Sequence, residues 1–175
     1  MSAARLERPD PSEYASFYAG YIAAVPEGEL LGLLERQLQE TTGVLAAVPE
    51  ARGDFAYAPG KWTLKEVLGH VVDAERVFSY RALRFARGDA TPLAPFDENA
   101  WTPNSGARAR TLTDLIAELR AVRGATLALL RSLPPGADLR RGTASGREIS
   151  VRALAWIIAG HERHHFKLIR ERYLG

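Results

Sequence analysis

The stretch SVRALAWIIAGHERHHFKLIRERY, residues 150–173, is the strongest indicator of the fold class. Five of its residues follow one another at alternating steps of four and three: Leu154, Ile158, His161, His165 and Leu168. This spacing places them on one face of an α-helix, the face that packs against a core. Because Ser150 is a favoured N-cap residue, the pattern predicts a helix from Val151 to about Tyr173 with two histidines on its buried face.

Three earlier segments show the same helical periodicity. The second of them opens with a capping box, in which the side chains of Thr63 and Glu66 each accept a hydrogen bond from the other residue's backbone N–H. The third opens with Thr111 as N-cap and ends at Pro134, because proline cannot continue a helix. The predicted helices run from Glu29 to Val48, from Thr63 to about Gly88, and from Thr111 to Pro134.

The segments between these helices are predicted to be irregular. Thr91 to Arg110 is rich in Pro, Asn, Gly and Asp without a sustained period, which is typical of a long crossover loop. A polar, glycine-containing link follows the third helix. Four amphipathic helices with little strand signal predict an all-α four-helix bundle, and the long crossover argues against a simple up-down-up-down order.

Composition limits the class of protein. A length of 175 residues and an apolar fraction of 46% suit one globular domain over residues 1–175, with residues 1–28 as an N-terminal extension. No apolar run approaches the length of a membrane span, and the N-terminus lacks the apolar centre of a signal peptide, so we expect a cytoplasmic protein without a membrane partner. The absence of cysteine leaves imidazole and carboxylate as metal ligands.

The net charge of +2 raises the question of nucleic-acid binding. The basic residues are scattered among acids along the helical segments, as in Glu75 and Arg76 or Glu162 and Arg163. This is typical of a solvated helix face, whereas a nucleic-acid interface collects its basic residues in one patch. The sequence therefore predicts no specific nucleic-acid partner.

His161 and His165 are candidate metal ligands because they project from one helix face a single turn apart, where both imidazoles can reach one ion. His164 projects to one side of this pair and is not predicted to be a ligand. From the residues alone, two hydrogen-bonded histidines near a helix end are an equally good interpretation. His70 borders the apolar face of the second helix, so it can face the same interior, but spacing alone does not show that the two helices meet.

Two segments of the chain resemble the DinB-like superfamily. PGKWTLKEVLGH at 59–70, followed by DAE at 73–75, looks like the second-helix motif of that family, and IIAGHERHH at 157–165 resembles its fourth-helix motif. With the loop PFDEN at 95–99, the resemblance covers most of the chain from about Leu30 onward.

The resemblance implies a down-up-up-down four-helix bundle, usually dimeric, that holds one divalent metal ion on three histidines. The matching positions are His70, His161 and His165. Three nitrogen ligands suit both zinc and nickel. The family includes transferases and isomerases that use a small cellular thiol, and proteins described as metal-dependent hydrolases. The resemblance therefore implies a small-molecule substrate, with a low-molecular-weight thiol as a candidate cosubstrate.

A protein base is expected beside such a metal ion. By helical angle, Glu66 and Asp73 flank His70, where either could accept a proton or orient the imidazole. Asp73 is the better candidate because the capping box already explains Glu66. A solvated acid on the helix surface is the alternative interpretation for both. The loop residues 97–99 either line the entrance to the site or form turns.

Two classes of function remain open at this point. One is a metal-dependent enzyme, either a hydrolase or a small-thiol-dependent transferase. The other is a non-catalytic metal- or ligand-binding module, such as a stress-related protein, because a fold and a metal triad do not establish turnover. Loss of a test activity on chelation of the metal separates the two classes.

Overall fold

Helices dominate residues 6–175, the part of the chain that the computed structural model describes. Residues 1–5 of the predicted N-terminal extension lie outside it. The elements are α1 (Ala19–Ala23), α2 (Leu30–Ala46), α3 (Leu64–Ala86), α4 (Glu98–Asn104), α5 (Leu112–Arg131), β1 (Arg141–Ala144), β2 (Arg147–Ser150) and α6 (Val151–Leu168), which a π-helical turn continues to Tyr173. Within the described range, no helix combines the length and apolar character that a membrane crossing needs.

Side-chain caps begin all four long helices, and three of these caps, Thr63, Thr111 and Ser150, were predicted as caps from the sequence. In the capping box of α3, the Glu66 N–H donates to Thr63 Oγ1 over 3.2 Å, and the Thr63 N–H donates to Glu66 Oε2 over 2.8 Å. Ser150 Oγ accepts from the N–H of Ala153, and Thr111 caps α5 in the same way. Each cap satisfies a backbone donor that has no partner inside its helix.

Helices α2, α3, α5 and α6 form a four-helix bundle, so the predicted all-α class is confirmed. Helix α3 packs against α5 and α6, and α2 packs against the same two helices. Helices α2 and α3, although consecutive in the chain, therefore lie across the bundle from each other. This is the down-up-up-down arrangement, in which residues 87–111 carry the chain along the bundle between the parallel neighbours α3 and α5.

The prediction of an irregular segment from Thr91 to Arg110 is wrong for its middle part. Helix α4 begins after Asp97, whose carboxylate accepts from the N–H groups of Asn99 and Ala100. It has seven residues and contains Pro103. A helix of two turns that includes a proline shows too little periodicity to be recognised.

The glycine-containing link before α6 is a β-hairpin, which the sequence analysis missed. Strands β1 and β2 pair antiparallel, with Ala144 opposite Arg147. Ser145 and Gly146 form the two-residue turn between them, with φ of 53° and 73°, as a type I′ turn requires. Strands of four residues contain only two alternations, which is too short a pattern to indicate a strand by itself.

Helix α1 lies directly on α6. A Cβ atom at Gly160 would lie 2.0 Å from the backbone oxygen of Tyr21, so only glycine lets the two backbones approach so closely. Ile22 of the same segment is buried in the core. The described part of the predicted extension, residues 6–28, therefore packs against the bundle next to His161.

A buried ion pair joins this N-terminal segment to the start of α6. Glu13 is 4% exposed, and its carboxylate accepts from Ser150 Oγ over 2.7 Å and from Arg152 Nε over 2.8 Å. Burial raises the pKa of Glu13, but the hydrogen bonds from Arg152 and Ser150 outweigh burial and lower the pKa to about 2. The ionised carboxylate therefore stabilises the folded state.

We expect Glu13→Gln to lower the free energy of unfolding at pH 7 by about 1–3 kcal/mol. The pKa of Glu13 is about 2 in the folded state and ordinarily 4.5. Its stabilisation is therefore complete above pH 4.5 and disappears as the pH falls from 4.5 to 2.

Urea unfolding at pH 7 and pH 3 measures both effects of Glu13→Gln. The variant should lose less stability than the wild type between these pH values, because the titrating carboxylate is gone. Glu148→Gln, which removes an exposed partner of Arg141, is the control and should follow the wild type. Parallel pH dependence in wild type and Glu13→Gln would contradict the prediction.

Candidate metal centre

Three histidines meet between α3 and α6. His70 comes from α3, whereas His161 and His165 come from α6. One nitrogen of each ring lies within 4.8 Å of the others, and His70 Nε2 lies 3.1 Å from His161 Nε2. His70 and His161 are 7% and 6% exposed. The structure thus brings together the three histidines that the sequence analysis named.

The nitrogen spacing fits a shared metal ion. Two nitrogens bound to one tetrahedral zinc ion lie about 3.4 Å apart, and neighbouring ligands of an octahedral ion lie about 3 Å apart. The observed separation between His70 Nε2 and His161 Nε2 is 3.1 Å. Without an ion, this contact requires one of the two nitrogens to carry a proton. The donor set therefore suits a divalent ion such as zinc or nickel.

Burial keeps these imidazoles neutral. It lowers the pKa of His165 to about 3 and holds that of His161 well below its ordinary value, and the neighbouring histidines act in the same direction. Burial also lowers the pKa of His70, against the opposing charges of Glu98 and Asp73. Neutral imidazole is the form that binds metal ions, so the ligands need not release a proton at neutral pH.

The adjacent His164 lies outside the cluster. It is exposed and packs edge-on against Tyr21, with ring centroids 5.4 Å apart. By contrast, Nδ1 of His165 is buried and has no hydrogen-bond partner among residues 6–175. A buried nitrogen without a hydrogen-bond partner lowers the stability of the fold. Such an atom is typical of a site where a bound ligand supplies the missing partner.

A cavity of about 410 Å³ opens beside the three imidazoles. Its aromatic wall consists of Phe17, Tyr18, Tyr21, Trp62, Phe78 and Phe96. Polar side chains also reach it, namely Arg81, Glu98, Asn99 and Ser145. A volume of this size, with aromatic walls and a few polar groups, is typical of a small-molecule site.

The candidate base Asp73 lies outside the lining of this cavity. Its Oδ1 pairs with Arg76 over 3.3 Å, and no hydrogen bond joins it to His70 in the described part of the chain. Glu98 and Asn99 of the crossover do line the cavity. A chemical role for Asp73 therefore stays a prediction, and the carboxylate that faces the cavity is Glu98.

Aromatic rings enclose the histidines. Trp62 lies against His70 with ring centroids 5.0 Å apart, and Tyr21 and Phe78 lie 5.5 and 5.7 Å from His161. No role was predicted for these rings from the sequence. No local pattern could have linked Tyr21 to His161, because their contact arises from the packing of α1 on α6.

Each of the four long helices contributes one residue to a buried cluster of charged and polar side chains. Arg123 of α5 is fully buried, and it donates to both oxygens of Glu75 over 2.8 Å and to Glu162 Oε2 over 2.7 Å. Gln37 Nε2 donates to the same Glu162 oxygen over 2.6 Å. Burial opposes the charged form of Arg123, but the two carboxylates hold its pKa above the ordinary value. Because Glu162 follows His161, the cluster also positions the metal-site face of α6.

This cluster corrects the interpretation of Glu75 and Glu162 as parts of a solvated helix face. They are 3% and 2% exposed. Each has an arginine next to it in the sequence, Arg76 or Arg163, but pairs with Arg123 instead. Neighbours along a helix point in different directions, so adjacency in the sequence did not identify the partner.

Comparison with known proteins identifies relatives of this chain. A family model described as the DinB superfamily matches residues 33–169. The chain is 24% identical over 143 residues to YfiT of Bacillus subtilis (strain 168), covering 79% of each protein. It is 26% identical over 152 residues to a protein of Bacillus mycoides (strain KBAB4), covering 83% of this chain and 86% of that protein. Both relatives carry the name "Putative metal-dependent hydrolase".

Solved structures show the same fold. The chain is similar to YfiT from Bacillus subtilis, described as a probable metal-dependent hydrolase with an unusual four-helix bundle topology, with a TM-score of 0.69 and 21% identity over 93% of this chain and 89% of that one. It is also similar to the mycothiol-dependent maleylpyruvate isomerase, with a TM-score of 0.65 and 17% identity over 82% and 61% of the two chains. Since the family model matches most of its length, the chain belongs to the DinB superfamily.

Proposed function

We propose that this chain is a metal-dependent hydrolase that holds one divalent ion, zinc or nickel, on His70, His161 and His165. The observation that carries the proposal is the cluster of three imidazoles at the wall of an open cavity of about 410 Å³. Three protein ligands leave positions free for water and substrate, as catalytic metal sites require. The names of the two bacillus relatives support the same reaction class.

The bound ion would polarise a substrate carbonyl and lower the pKa of water. The chain's own residues supply the surroundings. The packing of α3 on α6 holds the three imidazoles in place, and the Arg123 cluster fixes the rotation of α6 next to His161. Trp62 and Tyr21 shield the rings from solvent. A preorganised ligand set of this kind needs little rearrangement when the ion binds.

We assign the role of proton acceptor to Glu98. It lies in the first turn of α4 and is the acidic side chain that lines the cavity among residues 6–175. Its carboxylate therefore shares the cavity with the imidazoles. Burial has the largest effect on the pKa of His70, and the negative charge of Glu98 opposes that effect. A carboxylate in this place can accept the proton that water releases when it attacks a carbonyl.

Two other functions use the same geometry. A small-thiol-dependent transferase would bind a low-molecular-weight thiol in the cavity, and the name of one structural relative, the mycothiol-dependent maleylpyruvate isomerase, supports this second candidate. A non-catalytic binding module would use the histidines without turnover. All three functions share the metal site, so they differ only in what happens at its open positions.

Metal analysis and chelation test the proposed function. Protein purified without a histidine tag should contain about one zinc or nickel ion per chain. It should hydrolyse members of an ester and amide panel, lose this activity on chelation and regain it when the ion is restored. Glu98→Gln should keep the ion and lose most of the activity.

The outcomes separate the candidate functions. Metal-dependent transfer of a thiol to an electrophile, without hydrolysis, would support the transferase instead. One ion per chain without either reaction would support the binding module. Protein that takes up no divalent ion at neutral pH would contradict all three.

We also propose, from the family resemblance, a homodimer that acts on a small molecule and, from the composition of the sequence, a cytoplasmic location without a specific nucleic-acid or membrane partner. The scattered basic residues support the absence of a nucleic-acid interface. The dimer and the location stay predictions.

A further inference from the structure

Arg81 is a buried cation without an acidic partner. It is 3% exposed, and no carboxylate pairs with it in the described part of the chain. The fully buried Arg123, by comparison, pairs with two carboxylates. Burial of a charge without a counter-charge is costly, and buried charges are normally paired. Arg81 can therefore pair with an anion from a bound ligand.

Neutral groups hold the Arg81 guanidinium in place. Its Nη2 donates to Ala94 O over 2.9 Å and to Ser145 Oγ over 3.1 Å, and its Cζ lies 5.7 Å from the centroid of the Phe96 ring. Burial raises the pKa of Tyr18 and lowers that of Arg81, and the contact between these two groups opposes both shifts. These neighbours occupy at most three of the five N–H donors of a guanidinium, so two remain for a ligand.

The β-hairpin places Ser145 in contact with Arg81. The N–H of Leu93 donates to Thr143 O over 2.9 Å, and the N–H of Ser145 donates to Leu93 O over 3.0 Å, so the turn is fastened to the crossover. Ser145 is the only non-glycine residue with positive φ among residues 6–175. Asn, Asp and Gly are the usual residues in such a turn. The Ser145 hydroxyl accepts a hydrogen bond from Arg81, which explains why serine occupies this turn position. A non-glycine residue with positive φ strains the backbone, and such strain is typical of functional sites.

Arg81 and the three histidines face one space. His70 and Arg81 are eleven residues apart on α3, which is three helical turns, so they share a face of the helix. The arginine side chain leans toward the N-terminal end of the helix, where His70 lies. All four residues line the same cavity of about 410 Å³, the volume of a sphere about 9 Å across. One small molecule can therefore contact both Arg81 and the histidines.

We propose that Arg81, with Ser145 and Tyr18, binds an oxyanion of the substrate, a carboxylate or a phosphate, while the reacting group of the same molecule lies at the histidines. This inference rests on the proposed function and adds the substrate class, a small anionic molecule. The planar guanidinium binds both kinds of oxyanion through two parallel hydrogen bonds.

The charges around the cavity favour such a substrate. Among the described residues that line it, Arg81 is positive, Glu98 is negative and the buried histidines are neutral. A divalent ion on the histidines would leave the cavity with a net positive charge, which attracts anions.

Anion binding to the metal-free protein tests this inference separately from metal chemistry. Wild-type protein stripped of metal is titrated with malonate and, in a second series, with inorganic phosphate, while the backbone amide NMR signals of Phe96 and Ser145 are followed. We expect saturable shifts centred on these two residues, and the anion that binds more tightly identifies the oxyanion class. Arg81→Gln should weaken binding at least about tenfold. Arg81→Lys should retain part of it, because it keeps the charge without the planar fork.

Arg84→Gln is the matched control. Arg84 lies about one turn further along α3, pairs with Asp89 and does not line the cavity, so this variant should bind anions as the wild type does. Equal affinity in Arg81→Gln and wild type, or wild-type shifts centred elsewhere, overturns the proposal. If Arg81→Gln fails to fold, the wild-type titration and Arg81→Lys still decide it. Anion binding here in a protein that takes up no metal would contradict the proposed function alone.

Discussion

The variants His70→Ala, His161→Ala and His165→Ala are each expected to bind zinc at least about 100-fold more weakly than the wild type. Loss of a residue that only hydrogen-bonds to a metal ligand already costs about 10–100-fold in affinity, and loss of a ligand itself costs more. One nitrogen of each ring lies within 4.8 Å of the other two, so no one of the three is peripheral. Competition with a chromophoric chelator and elemental analysis after dialysis measure the loss.

The matched control for these variants is His164→Ala, which should bind zinc about as tightly as the wild type because His164 is exposed and outside the cluster. Zinc should raise the melting temperature of the wild type and of this control, since an ion that binds only the folded state stabilises it. It should have little effect on the other three variants. Metal retained by His165→Ala and lost by His164→Ala would show that another face of α6 forms the site.

Arg123→Met is expected to lower the free energy of unfolding by about 3–5 kcal/mol. The substitution leaves two carboxylates, Glu75 and Glu162, buried at 3% and 2% exposure without a counter-charge. It also removes the donor to Leu34 O on α2. The effect should reach the whole bundle, because each of the four long helices contributes to the cluster. Guanidinium unfolding followed by circular dichroism measures the loss.

Two comparison variants distinguish the effect of removing a buried arginine from the effect of removing an exposed one. Arg131→Met, on the same helix, removes a pair with Glu35 in which both side chains are 51% exposed, and it should cost at most about 1 kcal/mol. Arg123→Met combined with Glu75→Leu should recover part of the loss, because one uncompensated carboxylate is gone. Equal costs for Arg123→Met and Arg131→Met would show that the cluster does not carry the predicted energy.

The long helices could be predicted because their signals lie within a few residues of each other. Thr63 and Ser150 begin α3 and α6 as expected, since an N-cap acts on N–H groups two or three residues away. Helix α4 and the hairpin at residues 141–150 were not predicted, although they too are local structures. Their segments are too short for periodicity to accumulate.

In the candidate site, contacts between residues near in sequence could be predicted from local patterns, whereas contacts between distant residues could not. His161 and His165 share a face because they are four residues apart. The meeting of His70 with this pair was an expectation from family resemblance, and the structure shows it through the packing of α3 on α6. Glu75 and Glu162 could not be interpreted in this way, because their partner Arg123 is 48 and 39 residues distant.

The amino-acid sequence was sufficient for the helical class, for the starts of the long helices and for the shared face of His161 and His165, because helical phase and caps depend on residues two to four apart. His70 was added to this pair through the family resemblance. The cavity depends on the assembled fold. Arg81 meets Ser145 only because a hairpin is fastened to the crossover, and Tyr21 reaches His161 only where Gly160 admits a second backbone. These contacts follow from how helices and loops pack, and packing reflects the summed burial of side chains from distant segments, which no local pattern records.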